Sequence, residues 1–223
     1  MTTIMFGRTG VTVPNEITGI DRFREWVGGD DFPEDYRAWW LGAVWIDVSK
    51  EQIFTHVRLK TEITSVLHRL VTPADTGLLL ADGVLLSNFE ADISGNPDAM
   101  YIAHESTEAG RVRFIEGKEG GYVEVQGSPD MVLEVVSDGS QQKDNVTLKE
   151  SYWKADVREY WIVDARGEEL EFAILQHTGK GYVAVKRQAG GWLKSPAFGV
   201  SFRITRGEDR AKHPMYTLHV RGA

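Results

Sequence analysis

Pro129-Asp130-Met131-Val132-Leu133-Glu134-Val135-Val136-Ser137, followed downstream by Glu159-Tyr160-Trp161-Ile162-Val163-Asp164, is the stretch on which the reading of this chain turns. Both apolar runs, 131–136 and 160–163, are rich in β-branched and aromatic residues and bounded by turn or polar residues, the pattern of buried strands. Between them Val146, Leu148, Tyr152 and Ala155 recur at roughly helical spacing, with Asp144 placed to cap the start. Strand, helix, strand over this length predicts a βαβ-sized unit, without fixing strand direction or sheet order. Glu134 is the anomaly. A charge inside a run that belongs in the interior survives only if paired, hydrogen-bonded or bound to a metal.

Upstream, Asp21 caps a short helix, Arg22 to Val27, closed by Gly28-Gly29, and Ala43 to Val48 reads as a strand. Ser49 with Gln52 then forms a capping box that opens a helix over 50–71. Ile53, Val57, Ile63, Val66, Leu67 and Leu70 make its expected buried stripe, while His56 and Lys60 lie i,i+4 on a different face. The runs 77–80, 84–86 and 100–103 are expected as strands of one sheet. Hairpins are expected at 111–125 and 170–185, a strand at 200–204, and one more short strand at 216–220. Residues 1–17 show no clear periodicity and read as a loosely held extension. The expected division is an N-terminal extension with a short helix over 1–44, an α/β domain over 45–205, and a polar tail over 206–223.

With 223 residues, 42% hydrophobic and 26% charged, the chain is long enough to bury a sizeable core. The net charge of −8 argues against a broad surface for coating nucleic acid, but leaves room for a local basic groove. There are no cysteines, which excludes disulfides and thiolate metal sites. No apolar stretch approaches the ~20 residues that span a bilayer, and the N-terminus lacks the pattern of a signal peptide. A cytoplasmic protein with no membrane partner is the expectation. Trp26, Trp39, Trp40 and Trp45 cluster early, the mark of a packed layer or a subunit contact. A two-fold homodimer is expected from them.

The chemistry has to come from carboxylates and lysines. Pro97-Asp98 and Pro129-Asp130 each open a strand. Asp130 precedes Glu134 by four residues, which places them roughly 13 Å apart in one strand, too far to share an ion. Asp98 belongs to another strand and can lie beside Glu134. Carboxylates from neighbouring strands are the usual means of holding a hard divalent cation. A lysine, Lys143 or Lys149, would add positive charge for a phosphate.

These residues carry a resemblance. Pro-Asp before an apolar run, then Ser-Pro-Asp-Met-Val-Leu-Glu-Val-Val-Ser, then Lys-Asp-x4-Lys-x2-Tyr-x4-Val-x-Glu-Tyr-Trp-Ile-Val-Asp, resembles the Uma-two family of putative restriction endonucleases in the PD-(D/E)XK nuclease superfamily. The likeness runs from about residue 45 to 204 and is most specific over 128–164; Ser195-Pro196 followed by Phe198-Gly199-Val200 also fits. The resemblance implies an α/β fold, a restriction-endonuclease-like mixed sheet flanked by helices with additional β-hairpins, of which 111–125 looks like an insertion. It also implies a Mg²⁺-dependent phosphodiesterase site acting on nucleic acid, most naturally DNA, with Mn²⁺ able to substitute. Asp98 would be the first acid and Glu134 the second, with the backbone carbonyl of Val135 completing the metal ligands. The superfamily lysine falls at Val136, and a lysine of the next helix, here Lys149, is implied in its place. His56 matches the family's histidine in the long helix. The family often carries a Glu about four residues before a Gly ahead of that helix; aligned on Gly42, that position is Ala38. Lys143, Asp144 and Tyr152 stand as accessory candidates.

Each assignment has a plainer counterpart. Glu134 is then half of a structural ion pair, Lys149 a solvated surface charge, His56 a hydrogen-bonded structural histidine and Asp144 a helix cap. Asp130 reads better as a turn residue accepting backbone N–H bonds. The alternatives to a DNA endonuclease are a nuclease-shaped binding or scaffold module that no longer cuts, and a metal-dependent hydrolase of another phosphate ester.

Overall fold

The computed structural model describes residues 2–6, 9–30, 32–33, 36–47, 51–118, 120–137 and 143–222. In chain order the elements are β1 (Thr2–Phe6), β2 (Thr9–Val13), α1 (Ile20–Val27), β3 (Arg37–Leu41), β4 (Val44–Asp47), α2 (Arg58–Val71), β5 (Gly77–Ala81), β6 (Leu85–Asn88), β7 (Ile93–Gly95), β8 (Ala99–Ala103) and α3 (His104–Glu108). There follow β9 (Val112–Glu116), β10 (Tyr122–Gly127), β11 (Met131–Val135), α4 (Lys149–Lys154), β12 (Glu159–Asp164), β13 (Glu171–Thr178), β14 (Gly181–Ala184), β15 (Leu193–Lys194), β16 (Ser201–Glu208) and β17 (Pro214–Arg221).

The two apolar runs form the centre of a six-stranded mixed sheet, ordered β14-β13-β12-β11-β8-β5. β11 and β12 pair in parallel, from Met131 opposite Glu159 to Val135 opposite Val163. β8 lies antiparallel on the other side of β11. The segment between β11 and β12 is thus the crossover of a βαβ unit, which needs a connection of this length because the strands run the same way. Alternation along β11 divides its side chains between two cores. Met131, Leu133 and Val135 meet Leu59, Ile63, Leu67 and Val71 of α2. Val132 meets Leu148, Tyr152 and Ala155 from the α4 side. Helices on both faces explain why the strand, Glu134 apart, is apolar.

A second six-stranded sheet runs β4-β3-β7-β6-β10-β9, and β15-β16-β17 form a third. The strand expected at 84–86 exists as β6, but in this second sheet, paired with β7 and β10 rather than with β5 and β8. Periodicity marks a strand and is silent about its partners. The chain turns away from β5 at Asp82-Gly83, both with positive φ. The start of the chain forms the β1–β2 hairpin rather than a loose extension, in keeping with its Thr, Ile and Val content. Trp39 and Trp40 are buried within the chain, and Trp26 packs edge-on against Phe23 and Phe32. Three of the four early tryptophans therefore belong to the interior, and only Trp45, 40% exposed, faces outward.

The long helix departs from one continuous α-helix. Residues Ile53–Val57 form a π turn, in which Val57 N–H donates to Gln52 O at 3.0 Å, five residues back, before α2 begins at Arg58. A wider turn shifts the helical phase. The predicted stripe fails on its N-terminal side, where Ile53 is 69% exposed, while Leu59, Ile63, Leu67 and Val71 carry the burial. The Ser49 half of the capping box lies outside the described residues. A second π turn, Lys143–Leu148, replaces the first half of the helix expected after Asp144, so Asp144 sits buried inside a turn rather than at a cap. The third sheet lies over α2, where Leu218 N–H donates to Glu62 Oε1 at 2.9 Å. Buried Glu159 ties that sheet's approach to β12 by accepting Ser195 Oγ–H and Ala197 N–H, each at 2.7 Å. Among the described residues, no helix is long and apolar enough to cross a membrane.

Candidate active site

Ala99 of β8 stands opposite Leu133 of β11 in an antiparallel pair. Asp98 immediately precedes β8, and Glu134 follows Leu133 in β11. Asp98 Oδ2 accepts the Val135 N–H at 2.7 Å, so the carboxylate is fastened to the backbone beside Glu134. Both acids are almost fully buried, and both line one narrow cleft together with Val135 and Asp144. Glu134 Oε1 accepts the Tyr152 hydroxyl at 2.7 Å, and the Tyr160 hydroxyl donates to the Asp144 carbonyl at 2.9 Å. Burial, followed by the charge of Glu134, pushes the Tyr152 hydroxyl pKa well up, so this phenol stays a donor.

Three basic side chains converge on Asp98. His56 Nε2 lies 3.4 Å from Oδ2, and Arg37 Nη1 and Lys60 Nζ each lie 3.4 Å from Oδ1. His56, in the π turn, and Lys60, in the first turn of α2, are both buried. Burial pushes the Asp98 carboxyl up, but the His56 hydrogen bond, the His56 and Lys60 charges and the Val135 N–H outweigh it and hold it down at about 2. Asp98 is ionised at any working pH. Two further acids complete the cluster: Glu51 Oε1 accepts from Arg37 Nη2 at 2.5 Å and from Lys60 Nζ at 2.9 Å, and Asp82 meets the same two cations at 2.9 and 3.1 Å.

The donor set suits a hard divalent cation. Four carboxylates line the cleft, those of Asp47, Asp98, Glu134 and Asp144, with Arg37 as the one permanently charged cation among its described lining residues. Glu51, His56 and Asp98 each present one ligand atom, all within 4.8 Å of one another. Carboxylate oxygens with an imidazole can hold a divalent ion. The cleft itself is acidic rather than basic, because its cations are already paired with acids.

Asp98, Glu134, Val135, His56 and Asp144 meet at this cleft, and Tyr152 reaches it through Glu134. Lys149 opens α4, half buried, and is not among the described residues that line the cleft. The side chain of Lys143 lies outside the described set. Asp130 is elsewhere, accepting from Ala103 N–H, Ser106 Oγ–H and Arg158 Nη1 at 2.7–2.8 Å. Ala38 is buried on β3 opposite Ile46. Sequence reasoning passed over Arg37, Glu51 and Asp82. Arg37 carries the same signal as Asp98, a charge opening an otherwise apolar run, Arg37-Ala38-Trp39-Trp40-Leu41. Glu51 and Asp82 sit in turns, where a carboxylate is unremarkable.

Residues 25–206 match the model of the Uma2 family, described as putative restriction endonuclease. Among solved structures, the chain is similar to a putative nuclease belonging to DUF820 from Anabaena variabilis ATCC 29413, with a TM-score of 0.54 and 14% identity over 72% of this chain and 82% of that one. At that identity the likeness shows the fold alone. No curated protein matches.

Proposed function

This chain belongs to the Uma2 family of putative restriction endonucleases, and from that premise we propose that it is a metal-dependent endonuclease hydrolysing the phosphodiester bonds of DNA. The observation that carries the reading is the pair of ionisable acids, Asp98 and Glu134, delivered by antiparallel neighbours into one acidic cleft. Asp98 and Glu134 with the Val135 carbonyl would hold Mg²⁺ or Mn²⁺, and Glu51 and His56 offer further donors on the Asp98 side. The ion would supply Lewis-acid activation of the phosphate and of an attacking water. The chain's own residues prepare the site: Val135 N–H fixes one Asp98 oxygen, Tyr152 holds Glu134, and Lys60 keeps Glu51, Asp82 and Asp98 together despite their like charge. Lys149 would neutralise developing charge only by reaching in from α4. The enzyme acts as a two-fold homodimer, two sites suiting two strands; exposed Trp45, Tyr122 and Val123 are candidates for the contact. Sedimentation showing a clean monomer at micromolar concentration would remove that part.

A second reading has one observation in its favour. Lys60 and Arg37 already neutralise Asp98, as they would in a non-cutting scaffold of nuclease shape. Thermal melts of wild type and Glu134→Gln, in EDTA and in Mn²⁺, separate the two. For the enzyme, Mn²⁺ raises the wild-type melting temperature in a concentration-dependent way. Glu134→Gln melts no lower than wild type in EDTA, loses most of the metal response and cuts no DNA. For the scaffold, wild type shows no metal shift and cuts no DNA.

A further inference from the structure

Acids are in surplus at the cleft, and Arg37 is the one permanently charged cation among its described lining residues. We propose that Arg37 binds the scissile phosphate of the nucleic acid directly, a role that rests on the nuclease reading. Two other cations compete for it and geometry separates them. Lys60 has three ammonium protons and three acceptors, Glu51, Asp82 and Asp98 at 2.9–3.4 Å, and its side chain is only 10% exposed. It is saturated, and it holds the acids in place. Lys149 does not line the cleft. Arg37 lines it beside Asp98, Glu134 and Val135, and its side chain is 33% exposed.

The guanidinium has five donors in a rigid fork. Nη2 is taken by Glu51 and Asp82, and Nη1 makes a single long contact of 3.4 Å with Asp98. Among the described residues no acceptor meets its Nε–H. Two acids from separate elements, one ahead of the π turn and one after β5, hold Nη2. The Nε–H beside it is left to an incoming phosphate oxygen. Such pre-positioning spares the cost of ordering a long side chain when substrate arrives. Arg37 is the first residue of β3, paired there with Asp47, another cleft residue, so its backbone is fixed as well.

The test uses the full chain. Binding of a fluorescein-labelled DNA duplex is measured in Ca²⁺ across a salt series, and cleavage of the same duplex in Mn²⁺, for wild type, Arg37→Gln and Arg37→Lys. Arg37→Gln should lower the slope of log K against log salt by about 0.9, one phosphate contact. It should cut at least ~100-fold more slowly, the scale for losing one charge-stabilising donor, while its Mn²⁺ melting shift stays at least as large as in wild type. Arg37→Lys keeps the charge and should keep the slope, but cut more slowly because the fork is gone. If Arg37→Gln does not fold, an Arg37→Lys variant that cuts at the wild-type rate overturns the proposal. An unchanged slope and rate in Arg37→Gln, or normal slopes in both variants while Lys149→Met alone abolishes cutting, also overturns it. If wild type binds DNA but never cuts, the nuclease reading fails while the slope still tests Arg37; if wild type binds no DNA, both fall.

Discussion

At the scale of single residues, two buried carboxylates make opposite demands on pH. Asp98 is held at about 2, below its ordinary 3.8, once burial has been outweighed by His56, Lys60 and Val135. A depressed native pKa gives stability that is complete above the unfolded value and lost as pH falls through the native one. The loss belongs between pH 3.8 and about 2 and amounts to roughly 2 kcal/mol. Urea unfolding across that window should therefore be less pH-dependent in Asp98→Asn than in wild type. Glu159 is the reverse case. Burial pushes its carboxyl pKa up, against the hydrogen bonds of Trp161, Ala197 and Ser195. A raised carboxyl pKa means that the charged form costs stability, which returns as pH falls toward the unfolded value. Ser195→Ala removes one donor and should cost about 1–3 kcal/mol at neutral pH. That deficit should shrink on acidification, as urea unfolding at pH 7 and pH 5 would reveal. A deficit independent of pH would mean that the hydroxyl serves packing alone.

At the scale of elements, what the sequence states plainly is periodicity, and what it omits is pairing. The βαβ unit, both later hairpins and the C-terminal strands were legible because β-branched runs and Gly-rich turns punctuate them. Asp98 and Glu134 were legible as charges at the opening and in the middle of apolar runs. The assignment of β6 to the second sheet was not, since nothing local distinguishes one sheet from another. Arg37, Glu51 and Asp82 escaped for a related reason: their meeting joins β3, the turn before α2 and the turn after β5, segments far apart in sequence. Close packing between β3 and β7 gives a test of how tightly the second sheet supports the site. A Cβ on Gly95 would lie 1.8 Å from Trp39 Cε3. Trp39 is buried and also lines the cleft. Gly95→Ala should cost roughly 2–3 kcal/mol by overpacking and weaken the Mn²⁺ melting shift, whereas a variant with normal stability would show that the indole has room to move.

At the scale of the whole molecule, the cleft is assembled from both six-stranded sheets, Arg37 and Trp39 from one and Glu134 and Val135 from the other, with His56 supplied by the π turn before α2. That turn sets an unusual limit on how the gene can change. A point substitution at Ile53 or Thr55 alters one side chain near the surface. Loss of a single codon between Gln52 and Val57 would let the widened turn relax into ordinary α-helix, the state any helix prefers. The side chains left in the turn would then take new directions around the axis, each residue of an α-helix turning by about 100°. His56, or the residue left in its place, would no longer be aimed at Asp98, while α2 itself, with Leu59, Ile63 and Leu67, stayed seated. Reading-frame-preserving deletions here should thus yield a folded protein that no longer assembles its charge cluster. In this chain the count of residues before α2 matters as much as their identity.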